Sequence, residues 1–328
     1  MNTLARPPKP LISLVVPVFN EEESVDVYVQ TTRGILEAER LDFEIIFIND
    51  GSHDATLQRL MALAEADKRI RVINLSRNFG KECALTAGID HAVGDVLVPM
   101  DVDLQDPPEV IPEFLEKWRE GYDVVYGIRS CRKHDSLAKR TTAALFYRIF
   151  NSFSTLQVPD NAGDFRLLDR RVADVIRQLP ERNRFMKGLF AWVGFNSIGV
   201  PYERPQRAAG STKWGNWRLW NFALDGLFSF STLPLRVWTY IGGIVAILSF
   251  SYGSFIIIRV LMLGIDIPGY ASLLTVVLFL GGLQLLSIGV LGEYMGRLFI
   301  EVKGRPLYIV ESIYPPVSLP QPAVNITD

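Results

Sequence analysis

The sequence has few of the residues that commonly build metal or nucleophile sites: among its 328 residues are two cysteines and three histidines. Cys83 and Cys131 lie far apart without a CxxC spacing, so the pattern indicates neither a zinc site nor a disulfide framework. The histidines are scattered, and no Ser/His/Asp arrangement is evident. The sequence has neither a GxGxxG after its first predicted strand nor a GxxxxGK[ST], so no motif supports a dinucleotide site or a P-loop.

Strong charge of one sign is also missing. The formal net charge is −2 and the sequence pI is about 6.0, and no basic stripe interleaved with aromatic residues occurs in the first two thirds of the chain. Nucleic acid is therefore not an expected partner. The first ten residues lack the apolar region of a secretory signal, so we expect the N-terminal domain to stay in the cytoplasm.

Apolar residues make up 48% of the chain, and the surplus lies beyond Pro234. Residues 237–258 and 270–292 are two uncharged runs, each long enough, at 1.5 Å per residue, to cross a hydrocarbon layer of about 30 Å. Their short connector carries one cation, Arg259. The outer ends of the two runs carry several more cations: Arg218, Arg236, Arg297, Lys303 and Arg305. The positive-inside rule then predicts a transmembrane hairpin with both termini cytoplasmic.

Glycines in the two runs are expected to let the helices approach closely; they are Gly242, Gly243, Gly281, Gly282 and Gly289. Residues 141–156 and 214–230 are rich in aromatics and poor in charge, which is typical of helices in a membrane interface, although core helices remain an alternative. We thus expect a cytoplasmic domain (1–212), an interfacial amphipathic helix (213–234), two transmembrane helices (235–296) and a cytoplasmic tail (297–328). The protein would be a multi-pass protein of the inner (plasma) membrane.

The first part of the chain alternates short β-rich runs with longer segments of helical periodicity. Such repeated βα units predict an α/β fold with an open, mostly parallel sheet. Asp106 is the expected cap of the fourth helix. The predicted strands are residues 11–16, 44–48, 70–75, 95–100 and 123–126, with a short strand at 307–310, and the predicted helices are residues 22–38, 54–67, 81–93 and 107–120.

Polar clusters follow three of these predicted strands, at residues 17–21, 49–52 and 101–103. In an open parallel sheet, ligands bind outside the carboxyl ends of the strands, so the clusters should share one rim. Asp101 and Asp103 are two residues apart and point the same way in extended backbone, and Gln105 offers a further oxygen. Oxygen donors of this kind suit Mg²⁺ or Mn²⁺ that bridges a substrate diphosphate.

Segments 17–21, 49–56, 101–108 and 210–214 together resemble glycosyltransferase family two, in its polyprenyl-phosphate branch. The resemblance covers roughly residues 12–310. It implies the nucleotide-sugar-binding glycosyltransferase A fold and an inverting transfer of a hexose to polyprenyl (undecaprenyl) phosphate at the cytoplasmic membrane face. Resemblance to the bactoprenol members of this branch favours UDP-glucose as the donor, with GDP-mannose as the alternative. A homo-oligomer is a further possibility, since aromatic interfacial helices would suit an assembly.

The same resemblance implies site residues. Those expected to bind the nucleotide-sugar are Pro17, Val18, Asn20, Glu21, Asp50, Gly51, Lys81, Asp101 and Val102. Those expected at the metal are Asp101, Asp103 and Gln105, and the catalytic candidates are Asp103 and Asp164. Because cationic side chains suit phosphate recognition, the residues expected to bind the acceptor or the diphosphate are Arg129, Arg207, Ser211 and Lys213.

The role of Asp164 follows from the chemistry of the acceptor. A lipid monophosphate has a second pKa near 6, so its attacking oxygen is already largely anionic at neutral pH. We therefore expect Asp164 mainly to orient the attack or to repel a mispositioned phosphate, rather than to act as an obligate base.

Two other functions are compatible with such a first domain. A processive polysaccharide synthase would share it, but the sequence contains no QxxRW and only two long apolar runs. A non-catalytic membrane scaffold would also share it, although the intact Asp101 and Asp103 argue against that.

Overall fold

The computed structural model describes residues 6–129, 162–203, 233–263 and 269–315. The strands within these residues are β1 (Leu11–Val18), β2 (Asp42–Asn49), β3 (Ile70–Leu75), β4 (Val96–Pro99), β5 (Val124–Arg129), β6 (Ala162–Asp169), β7 (Ser197–Tyr202) and β8 (Val310–Tyr314). The α-helices are α1 (Val25–Ala38), α2 (Thr56–Ala66), α3 (Lys81–His91), α4 (Ile111–Arg119), α5 (Arg170–Gln178), α6 (Met186–Trp192), α7 (Leu233–Leu263) and α8 (Tyr270–Lys303).

The strands form one sheet in the order β7-β5-β6-β4-β1-β2-β3-β8. β1 pairs in parallel with β2 and β4, β2 with β3, and β5 with β7. Two strands run antiparallel to their neighbours: β6 lies between β4 and β5, and β8 lies beside β3. The predicted α/β fold with a mostly parallel sheet is confirmed, and β6 and β7 are additions that the sequence pattern did not predict.

Helices cover both faces of the sheet because the strand residues alternate between two apolar cores. Ile12, Leu14 and Val16 of β1 point into a core shared with α1, α2 and α4. Val15 of β1 points to the opposite face, into a core shared with α3, α5 and α6. These side chains are fully buried, and each such burial is worth about 1.5–3 kcal/mol. The sheet is therefore a rigid platform for the loops at its edges.

Strand direction decides which loops meet. The parallel strands β1, β2 and β4 end at the same rim, as the register of β1 with both neighbours requires. Because β6 runs antiparallel to β4, it begins at this rim, so residues 162–164 lie there. β5 is antiparallel to β6 and β7 is parallel to β5, so Arg129 and Tyr202, their last residues, lie at the same rim.

The prediction that Asp106 caps the fourth helix is wrong. The chain enters this helix through a 3₁₀ turn at Pro108–Val110, and no side chain of the described ranges caps it. The carboxylate of Asp106 is buried and instead accepts a hydrogen bond of 2.9 Å from the hydroxyl of Tyr202. Because this carboxylate is hydrogen-bonded to Tyr202, it does not accept hydrogen bonds from the first amides of the helix.

The tail after α8 returns to the sheet. The strand predicted at 307–310 is wrong in its bounds: the observed strand, β8, begins three residues later, at Val310, and pairs with the edge of β3. Asn74 of β3 donates to Glu311 at 2.8 Å, and the Tyr308 hydroxyl donates to Asp90 of α3 at 2.8 Å. Side-chain bonds therefore add to the backbone pairing in holding the tail.

The predicted membrane runs, residues 237–258 and 270–292, lie inside the longer helices α7 and α8. Among the residues that the structure describes, no helix combines the length and the apolarity needed to cross a membrane. The expected close approach at glycines is not observed among the described residues, where a Cβ at Gly242, Gly243, Gly281, Gly282 or Gly289 would meet nothing within 4 Å. The predicted interfacial helices, at 141–156 and 214–230, lie outside the described residues.

Candidate active site at the rim of the sheet

The loops that follow β1 and β2 are joined by side-chain hydrogen bonds. The backbone amide of Asn20 donates to Ser52 Oγ at 2.9 Å, and the amide of His53 donates to Asn20 Oδ1 at 2.8 Å. The amide of Glu21 donates to Thr56 Oγ1 at 2.9 Å. The two predicted segments, one after each strand, thus form one continuous rim.

Asp50 supports the turn that leads into α3. Its Oδ1 accepts the backbone amide of Phe79 at 2.7 Å and its Oδ2 accepts that of Gly80 at 2.9 Å. Burial raises the pKa of Asp50 above its ordinary value, although the two amides oppose that shift. The contact between Asp50 and a nucleotide stays a prediction, and it would use the lone pairs that the two amides leave.

Two predicted nucleotide-sugar residues point away from the rim. The side chains of Val18 and Val102 are only 2% and 5% exposed and belong to the apolar core. Pro17, the residue before Val18, is half-buried. The two valines could therefore meet a ligand only through their backbone groups, since their side chains pack beneath the rim.

A lysine joins the two acidic regions of the site. The ammonium of Lys81, the first residue of α3, lies 2.6 Å from Asp101 Oδ1 and 2.9 Å from Asp164 Oδ2. Burial alone would lower the pKa of Lys81, but the two carboxylates outweigh burial and raise it well above its ordinary value. Burial would raise the pKa of Asp164, but Lys81 and then Lys187 hold it well below its ordinary value. Lys81 thus forms ion pairs with both carboxylates, and the three groups make one charged cluster.

The segment after β4 offers oxygen atoms suited to a hard cation. Asp103 Oδ1 accepts the backbone amide of Gln105 at 3.1 Å, and Leu104 between them has a positive φ of 55°. No group of three or more His, Cys, Asp and Glu side chains suited to a metal ion occurs in the described ranges. Mg²⁺ commonly needs only one or two carboxylates when a substrate phosphate supplies further oxygens. Two aspartates and an amide fit that mode rather than a closed protein cage.

Within the part of the chain that the structure describes, one buried oxygen of the cluster has no hydrogen-bond partner. It is Asp164 Oδ1, the second oxygen of the carboxylate that contacts Lys81. A buried carboxylate oxygen without a donor is costly, so this atom is a candidate point of contact for a bound group. Strand β6 carries Asp164 to the rim, where Lys81 contacts both Asp164 and Asp101. The predicted role of Asp164 toward the acceptor stays a prediction.

The sequence pattern gave no reason to select Glu82 or Tyr202. Glu82 Oε2 accepts the backbone amide of Met186 at 2.8 Å, and burial, with the nearby charge of Asp164, raises the pKa of Glu82 to about 7. Tyr202 lies between Asp106 and Arg129. Its position follows from strand pairing over long separations, which local periodicity does not reveal. Arg207, Ser211 and Lys213 lie outside the described residues, and their predicted roles stay predictions.

Two family models match this chain. Residues 13–177 match the model described as glycosyl transferase family 2, and residues 233–298 match the model described as the GtrB C-terminal hairpin. The chain therefore belongs to glycosyl transferase family 2, and it is an enzyme that transfers a glycosyl group.

Known proteins are similar in sequence to this chain over nearly its whole length. The SfII prophage-derived bactoprenol glucosyl transferase of Shigella flexneri is 55% identical over 92% of this chain and 97% of its own length. The prophage bactoprenol glucosyl transferase homolog of Escherichia coli is 52% identical over 92% of this chain and 99% of its own length. Among solved structures, glucosyl-3-phosphoglycerate synthase of Mycobacterium tuberculosis, in complex with Mn²⁺ and UDP-glucose, has a TM-score of 0.41 and 20% identity to this chain, covering 66% of this chain and 76% of its own length.

Proposed function

We propose that this enzyme transfers glucose from UDP-glucose to the phosphate of a polyprenyl lipid such as undecaprenyl phosphate, with inversion at the anomeric carbon. The observation that carries the proposal is the charged cluster of Lys81, Asp101 and Asp164 at the carboxyl rim of the sheet. The choice of glucose and of a polyprenyl acceptor is supported by the names of relatives that are 52–55% identical.

The donor side of the reaction is assigned to Asp101, Asp103 and Gln105. These residues would hold Mg²⁺ or Mn²⁺ through oxygen atoms, and the bound ion would stabilise the negative charge of the departing diphosphate. Lys81 adds a fixed positive charge against the same carboxylate of Asp101. Charge stabilisation of this kind is commonly the largest contribution to lowering a barrier.

The acceptor side is assigned to Asp164 and its neighbours. An oxygen of the lipid phosphate forms the new bond to the anomeric carbon while the bond from that carbon to the donor diphosphate breaks. The attacking oxygen is already anionic near neutral pH, so no proton has to be removed. Asp164 would orient the attack or repel a mispositioned phosphate, and Arg129, together with the predicted Arg207, Ser211 and Lys213, would bind the acceptor phosphate.

We further propose that α7 and α8 form the anchor that brings the rim to the membrane, with the catalytic domain and both termini in the cytoplasm. Large apolar side chains are exposed on both helices, for example Phe250 at 79%, Leu261 at 80% and Leu285 at 72%. Exposed apolar surface of this extent favours contact with another apolar phase. The match of residues 233–298 to a hairpin model supports the same assignment.

The test is transfer of radiolabelled glucose from UDP-glucose into extractable lipid, with and without divalent metal. Asp101→Ala and Asp103→Ala should each abolish product, because each removes a carboxylate that faces the donor diphosphate. Asp26→Ala is the matched control, since Asp26 of α1 forms an exposed ion pair with Arg59 of α2. Undiminished product from the Asp101 or Asp103 variants would contradict the proposal, and labelled GDP-mannose in place of UDP-glucose tests the choice of donor.

A further inference from the structure

Tyr202 is a buried tyrosine whose ring is held on several sides. Its relative exposure is 4%, and its ring packs edge-on against Phe165 with centroids 5.6 Å apart. Gly127 leaves room for the ring, because a Cβ at that position would come within 2.6 Å of it. The hydroxyl therefore has little freedom to move along the rim.

The hydroxyl lies between a carboxylate and a guanidinium. It donates to Asp106 Oδ1 at 2.9 Å, and it accepts from Arg129 Nε at 3.4 Å. A tyrosine hydroxyl has one proton to donate and lone pairs to accept. Because the hydroxyl donates its hydrogen bond to the carboxylate of Asp106, its lone pairs can accept a hydrogen bond from the guanidinium. Asp106 thus orients the tyrosine hydroxyl so that the hydroxyl oxygen accepts the hydrogen bond from Arg129.

This contact places the guanidinium beside the acceptor residue. A Cβ at Gly163 would lie 3.3 Å from Arg129 Nη2, so the guanidinium packs against the backbone immediately before Asp164. Burial would lower the pKa of Arg129, but the hydrogen bond with Tyr202, together with the charges of Asp106 and Asp164, outweighs burial and raises it above its ordinary value. Arg129 therefore remains a cation near the group that faces the acceptor.

We infer that Tyr202 is a positioning residue: its hydroxyl, oriented by Asp106, holds the guanidinium of Arg129 where it binds an oxygen of the acceptor phosphate. This inference rests on the proposed function and adds a residue to it. A guanidinium forms paired hydrogen bonds to phosphate only in a defined orientation, so a loose Arg129 would bind the phosphate more weakly. Weaker binding of the phosphate should appear as a higher KM for the acceptor.

Tyr202→Phe is the first test, because it removes only the hydroxyl. In the full-length enzyme we expect the KM for polyprenyl phosphate to rise about tenfold, as for the loss of one hydrogen bond to a charged group, with the KM for UDP-glucose unchanged. Tyr308→Phe is the matched control, since it removes a hydroxyl bonded to Asp90 away from the rim. It should leave both KM values unchanged.

A double-mutant cycle separates positioning from a general effect on packing. Arg129→Gln should raise the acceptor KM by itself, and Tyr202→Phe added to Arg129→Gln should raise it less than twofold further. Full additivity, or an unchanged acceptor KM in Tyr202→Phe, would overturn the inference. If Tyr202→Phe strongly lowers the thermal midpoint of unfolding, Arg129→Lys is the deciding variant. Lysine keeps the positive charge but lacks the Nε donor, so the acceptor KM should rise as in Tyr202→Phe. An unchanged acceptor KM in Arg129→Lys would refute the positioning role.

Failure of the proposed function would be recognised separately. In that case the unaltered enzyme would not transfer glucose to polyprenyl phosphate from UDP-glucose at all. Normal transfer by the unaltered enzyme with an unchanged Tyr202→Phe variant would instead remove only the positioning role.

Discussion

The pKa values of two carboxyl groups near the rim are shifted in opposite directions. The ammonium of Lys81 contacts Asp164 and holds its pKa far below the ordinary value, whereas burial raises the pKa of Glu82 to about 7. A carboxylate with so low a pKa is a poor proton acceptor. The environment of Asp164 therefore agrees with an orienting role and not with a role as an obligate base.

Asp164→Asn tests this role. The amide keeps the shape and one oxygen acceptor but loses the charge, so turnover should stay within a few-fold of the unaltered enzyme if Asp164 only orients the acceptor. Initial rates of lipid glucosylation at saturating UDP-glucose measure the effect. Loss by several orders of magnitude would show that the carboxylate itself is required for proton transfer or for charge.

The same ion pair has a consequence for stability. A carboxyl group whose pKa is depressed on folding stabilises the protein above its unfolded pKa, near 4, and that contribution is lost as the pH falls toward the folded pKa. Asp164 thus stabilises the fold at neutral pH through its contact with Lys81.

At the scale of elements, the turn after β2 and the start of α3 depend on each other. Gly51 has a φ of 66°, and a Cβ there would lie 2.5 Å from the backbone carbon of Arg77 and from the backbone nitrogen of Asn78. Asp50, the residue before it, binds the amides that lead into α3. The position of Lys81 at the helix start therefore depends on the close packing of two loops.

Gly51→Ala should destabilise the protein by about 1–3 kcal/mol, because it adds backbone strain and a clash with backbone atoms. Denaturant unfolding of the full chain measures the free energy, and UDP binding should weaken in parallel as the rim shifts. Gly34→Ala is the matched control: Gly34 lies in α1 with nothing within 4 Å of a Cβ, so alanine should stabilise by about 0.5–1 kcal/mol. Equal effects of the two substitutions would contradict the packing argument.

At the scale of the whole molecule, the end of α8 is bonded to the catalytic domain. Glu301 Oε1 accepts the backbone amides of Arg182 at 2.8 Å and Asn183 at 3.1 Å, and the guanidinium of Arg182 donates to the carbonyl of Arg305. Residues 182–183 precede α6, whose first amide is bonded to Glu82. Hydrogen bonds thus connect the end of the second long helix to the loop that packs beside the site.

Deletion of residues 237–292 should abolish transfer to lipid in membranes while UDP binding remains, because the deleted helices supply the proposed anchor and the tail with β8 is retained. Transfer into vesicle-embedded polyprenyl phosphate and UDP binding by calorimetry measure the two outcomes. A chain ending at residue 236 serves as comparison: it also loses β8, which exposes the edge of β3, so its thermal midpoint should be lower. Unchanged transfer by the deletion variant would refute the anchoring role.

Local patterns were sufficient to predict the βα units from β1 to β5, because each depends on the periodicity of its own residues and on nearby turn signals. The acidic pair, Asp101 and Asp103, could be placed on the rim for the same reason, since parallel strands end on one edge. The family resemblance supplied Asp164 as a candidate, but no local signal located the strand that carries it.

Only the tertiary structure decided how the remaining elements complete the rim. β6 enters between β4 and β5, and β7 lies outside β5, through backbone pairings between residues far apart in the chain. Those pairings bring Asp164 to Lys81 and Tyr202 to Arg129, and they turn Asp106 from an expected helix cap into a buried hydrogen-bond acceptor. The reason is physical: periodicity reports which face of an element is buried, whereas the neighbour of an edge strand is selected by the energy of the assembled sheet.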